Sequence, residues 1–88
     1  MTRLKEKFLK AVLYALYVAC EGSLSARVPE EAVTSRFPKH EKGDVKKALK
    51  ILVRRGLAAR VPKGRKLTYS LTREGLEEAR RALSESTL

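Results

Sequence analysis

With 88 residues, 20 Lys and Arg and 10 Asp and Glu, the chain carries a formal net charge of +10. That length bounds it to one small domain, residues 1–88, and a hydrophobic fraction of 43% separates it from disordered chains. The charge excess draws polyanions toward the protein, the single cysteine rules out an internal disulfide, and the longest apolar run, residues 11–20, is about half of what a membrane span requires.

A first helix is predicted over residues 4–20. Leu4, Phe8, Ala11, Val12 and Ala15 recur at helical spacing, while Arg3, Lys5, Lys7 and Lys10 keep the first half wet. The second half, AVLYALYVAC, is apolar all round and so needs cover on more than one face. The last helix of the chain supplies part of that cover. A second protomer or a neighbouring protein, meeting Tyr14, Tyr17 and Val18, supplies the rest. Cys20, in the same run, reads as a small core residue rather than a reactive thiol. The N-terminal stretch is a basic helix without a cleavage site, from which no signal peptide and a cytoplasmic location are expected.

Gly22 stops this helix, and residues 24–28 form a connection with room for one pairing strand. Pro29 opens a second helix at its first position, where no backbone bond is lost, and Glu30 and Glu31 suit the positive end of its dipole. Ala32, Val33 and Phe37 form its buried side, and Pro38 ends it. The turn of residues 38–43 leads to Asp44, the expected N-cap of a third helix over residues 45–55. In that helix Val45, Ala48, Leu49 and Leu52 fall at i, i+3, i+4 and i+7, one continuous stripe.

Gly56 closes the third helix, and residues 57–61 and 67–71 alternate apolar and polar as strands do. If Leu57, Ala59 and Val61 share the inner face with Leu67, Tyr69 and Leu71, Val61 faces Leu67 and Ala59 faces Tyr69. That register requires an odd-length loop, of three or five residues. Thr72 caps a last helix with Glu74 in its first turn and an apolar stripe of Leu76, Ala79 and Leu83, and residues 84–88 are expected to fray.

The segment GDVKKALKILVRRGLAARVPKGRKLTYSLTREG resembles the winged-helix superfamily. The resemblance rests on the Val45, Ala48, Leu49, Leu52 stripe, the Arg55-Gly56-Leu57 exit, the basic Lys63-Gly64-Arg65-Lys66 hairpin, and Leu71-Thr72 followed by Gly75. It extends over nearly the whole chain. It implies an α+β, mainly α fold: a winged helix-turn-helix with a three-helix core, a β-hairpin wing and a C-terminal helix. The function implied is that of a small archaeal-type DNA-binding regulator, although this fold serves several tasks.

Advancing 100° per residue around the third helix puts Lys46, Lys47, Lys50 and Arg54 opposite the apolar stripe, with no acid among them. A solvated face ordinarily mixes signs to gain i,i+4 pairs; four like charges instead fit a polyanionic partner. Lys63, Arg65 and Lys66 surround Gly64 at the hairpin tip and extend the same surface. By resemblance, Lys42, Lys46, Lys47 and Lys50 face the DNA groove, and Ser35, Arg36 and Lys39 touch its backbone. His40 lies at the same end and reads chiefly as a solvated turn residue. The chain contains neither Asn nor Gln, the usual readers of adenine, so weak sequence preference is expected.

Residues for catalysis are not evident. His40 and Cys20 lie on separate elements, no second His or Cys stands at metal-ligand spacing, and Glu30-Glu31 and Glu77-Glu78 point in different directions around their helices. No enzyme activity, metal, cofactor or small-molecule ligand is expected. Two further readings compete with a DNA-binding regulator that pairs as a homodimer. The basic helix followed by Lys63-Gly64-Arg65-Lys66-Leu67-Thr68 is similar to winged-helix proteins of small ribosomal subunits, which implies a structural rRNA-binding role with a ribosomal neighbour on the first helix. A protein-binding module with an acidic partner is the third. Abundant charge and scarce thermolabile residues also resemble the composition of heat-adapted microbes.

Overall fold

The computed structural model describes residues 4–86. Its elements are α1 (Glu6–Ala19), β1 (Val28–Pro29), α2 (Glu30–Thr34), α3 (Lys42–Arg54), β2 (Ala58–Lys63), β3 (Lys66–Leu71) and α4 (Arg73–Ser86). A single 3-10 turn, Lys39–Glu41, separates α2 from α3. The three strands form an antiparallel sheet in the order β1-β3-β2. The fold is therefore the mainly helical α+β arrangement expected from the sequence.

Helix α1 runs through the centre and packs against α2, α3 and α4. Its Leu9, Val12, Leu13, Ala15 and Leu16 are buried, and they meet Val33 of α2, the apolar stripe of α3, Tyr69 and Leu71 of β3, and Ala79 of α4 in one core. Cys20 is part of this core. Burial pushes its thiol pKa up, so it is poorly suited to thiolate chemistry. The chain leaves α1 through two successive left-handed residues, Glu21 and Gly22. Arg3 lies outside the described residues.

Four boundaries differ from those expected. Pro29 is the N-cap of α2 and also pairs with Thr68 in the sheet, so the helix proper begins at Glu30. The short connection before it does supply the pairing strand. Helix α2 ends at Thr34, and Phe37 reaches the core from the following turn, its ring 5.8 Å from that of Phe8. Helix α3 begins at Lys42, with Glu41 as its N-cap residue; Asp44 lies inside the first turn and makes no capping bond. The acid still serves the helix there by facing the positive end of its dipole. At the other end of the chain α4 continues to Ser86, beyond the point where fraying was expected, and residues 87–88 lie outside the described residues.

The hairpin register corrects the expectation. Val61 pairs with Thr68 and Ala59 with Ser70, while Ala58 pairs with Leu71 and Lys63 with Lys66. The loop is therefore the two-residue Gly64-Arg65. Gly64 adopts φ +61 and Arg65 does not go positive, the pattern of signs in a type II′ turn, whose twist matches the strands. The slip by one residue moves Ala59 and Val61 to the outer face, where they are half-buried, and turns Ala58, Arg60 and Pro62 to the face shared with Leu71, Tyr69 and Leu67. The adjacent alanines made the alternation ambiguous: Ala58, 3% exposed, fills the inner position as well as Ala59 could.

Candidate nucleic-acid interface

The orientation of α3 follows from its stripe. Val45, Ala48 and Leu49 are 0% exposed and Leu52 1%, so the opposite side must face solvent. Lys46, Lys47, Lys50 and Arg54 are all exposed there. None makes an ion pair among the described residues, where the only pairs are Arg55–Glu6 and Arg81–Glu78. Arg55, next to Arg54, is directed away from this face: its guanidinium donates to both carboxylate oxygens of Glu6, at 2.7 and 3.0 Å. That contact holds the Glu6 carboxyl below the usual carboxylate range and ties the exit of α3 to the first turn of α1.

The remaining residues singled out in the sequence are exposed as well: Ser35 and Arg36 after α2, Lys39 and His40 in the 3-10 turn, Lys42 at the start of α3, and Lys63, Arg65 and Lys66 at the hairpin tip. The hairpin lies alongside α3 and leaves two open clefts. In the first, Lys42 and Lys46 face Arg65 and Lys66 across a cleft that Glu30 and Glu31 of α2 also line. The carboxylates share the cleft without closing an ion pair within 4.0 Å. The second lies farther along the helix and is lined by Lys50, Val53, Arg54 and Arg60. Helix and hairpin cations thus meet in both clefts.

Tyr14 on α1 is 43% exposed and stacks on Tyr17, with centroids 6.3 Å apart. Tyr17 and Val18 are half-buried. Leu24, just beyond the helix, is 44% exposed. Tyr14 is thus the large apolar side chain that α1 exposes among the described residues. Among the described residues no group of His, Cys, Asp or Glu is placed to hold a metal, and no helix is long and apolar enough to cross a membrane.

No family model and no curated protein sequence matches the chain. Solved structures do. The AF1382 protein of Archaeoglobus fulgidus superposes with a TM-score of 0.77 at 19% identity, covering 96% of this chain and 89% of that one. A protein of Thermoplasma volcanium described as a possible HxlR-family transcriptional factor gives 0.71 at 22% identity over 93% of this chain and 70% of its own. The fold is a winged helix. The PcaV transcriptional regulator of Streptomyces coelicolor, solved with its natural ligand, is similar at a TM-score of 0.66 and 27% identity, over 88% of this chain and 52% of that one. The likeness to winged-helix ribosomal proteins finds no support among these structures.

In winged-helix terms α2, the 3-10 turn and α3 form the helix-turn-helix, and β2 and β3 form the wing. One exposed cation in the groove was absent from the sequence reading: Arg60. The assumed register placed it on the outer face of the wing, away from α3. The signal that could have found it is Pro-Lys-Gly-Arg-Lys itself, since a glycine at the first central position suits a two-residue turn and fixes Arg60 on the inner side.

Proposed function

We propose that residues 1–88 act as one DNA-binding regulatory domain that lays α3 in the major groove and places its wing against the adjacent backbone. The observation that carries this reading is the unpaired row Lys46, Lys47, Lys50 and Arg54 on the face of α3 opposite the core. A charged face serving solubility or heat adaptation is expected to form ion-pair networks; the described residues hold two isolated pairs, both away from this face. The transcriptional regulators among the similar folds support the same reading. Lys42 and Lys46 point along the groove between helix and wing, Lys39, Ser35 and Arg36 lie where the DNA backbone would pass, and His40 stands beside them. Lysine is a point charge suited to phosphate, so most of the affinity is independent of sequence and falls steeply with salt.

The domain pairs with a second copy through the apolar face of α1, with Tyr14, Tyr17 and Val18 at the contact, so that two α3 helices meet half-sites about one helical turn apart. It works in the cytoplasm and takes no cofactor. The test is a salt titration of duplex DNA binding with the Lys46→Ala/Lys47→Ala variant. Affinity should fall by at least tenfold, and the slope of log K against log salt should flatten by up to about two units. Unchanged affinity overturns the reading. Competition with a structured rRNA fragment at matched salt checks the nucleic acid: preference for the RNA overturns the DNA assignment in favour of a structural ribosomal role.

A further inference from the structure

We infer that Lys50, Arg54 and Arg60 form a phosphate clamp at the C-terminal end of the recognition helix, which grips one backbone phosphodiester of the bound duplex. The inference deepens the DNA-binding reading and rests on it. The wing register carries it. Arg60 pairs with Tyr69, whose ring is buried in the core, and partners in an antiparallel ladder point to the same side of the sheet. Arg60 therefore projects toward α3, and there it lines one open cleft with Lys50 and Arg54 over the side of Val53. The Tyr69 hydroxyl senses the same placement. Burial and the charge of Glu30 raise its pKa, and the positive charge of Arg60 works against them.

The two clefts of the groove differ in what they can hold. At the wing tip the cations share their space with Glu30 and Glu31, so an anion entering there meets charge of both signs. No carboxylate lines the cleft of Lys50, Arg54 and Arg60. Three cations converging without a counter-charge repel one another, and an anion seated among them removes that repulsion. Two of the three are arginines, whose planar forks match two phosphate oxygens at once. The cleft is open to solvent, as a site for a continuous polymer backbone must be, and two different elements supply its cations. A phosphate held there fixes the angle between recognition helix and duplex, because helix and wing grip it together.

The test compares Arg60→Ala, Arg60→Lys and the Lys46→Ala/Lys47→Ala variant on several duplexes of unrelated sequence. Arg60→Ala should weaken binding by roughly 10- to 100-fold, the range for a charge-assisted contact, and flatten the salt slope by about 0.9. The loss should be the same on every duplex, because a phosphate carries no sequence information. Arg60→Lys should restore the slope while recovering only part of the affinity. The thermal midpoint of the free protein should not fall, since Arg60 is exposed, makes no ion pair among the described residues, and its loss relieves the repulsion among the three cations. Should Arg60→Ala bind like the parent while Lys46→Ala/Lys47→Ala does not, the clamp is wrong and the DNA-binding reading stands. A loss confined to particular duplexes would make Arg60 a reader of bases and overturn the clamp equally.

Discussion

Gly75 carries more of this fold than its size suggests. A Cβ built on it would lie 1.7 Å from the carbonyl oxygen of Leu57, so the first turn of α4 rests directly on the backbone leading into the wing. Thr72 braces the same junction: its hydroxyl donates to the carbonyl of Gly56 at 2.6 Å and accepts from the amide of Gly75 at 3.0 Å. Gly75→Ala must push α4 off the wing root. Overpacking of this kind costs about 1–3 kcal/mol, visible as a lower urea midpoint with an unchanged slope. The Glu6–Arg55 contact makes a different prediction. The hydrogen bond from Arg55 lowers the Glu6 pKa most, desolvation works against it, and the charges of Arg55 and Lys10 add smaller contributions to the lowering. A carboxyl depressed in the folded state contributes stability above its unfolded pKa and loses it as pH falls through the folded value. Glu6→Gln should therefore melt below the parent at pH 7 and together with it at acid pH, in thermal scans across that range. Equal melting at pH 7 would show the pair to be inert.

At the level of elements, α3 and α4 were legible because each bears a periodic stripe that only one orientation can bury, and α1 because its first half keeps apolar residues at helical spacing. The stripe of α3 fixed both its inner face and, by exclusion, the cations outside. The cap of α4 was legible because Thr72, a residue type that caps helices, stands just before Glu74 and the stripe of Leu76 and Ala79, and its hydroxyl accepts from the amide of Gly75. The wing was harder. Its strands carry apolar residues on both faces, Ala58 inside and Ala59 and Val61 outside, so alternation alone could not choose the register. The start of α3 was missed for another physical reason: residues 39–44 hold several polar groups able to begin a helix, and the 3-10 turn of Lys39–Glu41 feeds straight into Lys42. Legibility of the interface follows the same division. The helix cations could be read from spacing, whereas the meeting of Lys42 and Lys46 with Glu30 and Glu31 is tertiary. Those two acids should weaken non-specific attachment. Replacing both with glutamine should raise affinity for arbitrary duplex DNA and steepen its salt slope, measured by fluorescence anisotropy. A fall in affinity would mean that they position the lysines rather than oppose the phosphates.

For the molecule as a whole, the order β1-β3-β2 leaves β2 with one side unpaired, and that feature bears on how copies of this protein can meet. An open backbone row invites a second chain to extend the sheet. Pro62 removes a donor from the row, and Arg60 and Lys63 put positive charge beside it. Two such rows brought together would face like charge against like charge, with a missing hydrogen bond in the ladder. Self-association by strand addition is thereby disfavoured. Pro62→Val should lift that restraint, and light scattering at high concentration should show slow, salt-promoted growth of large species in the variant and none in the parent.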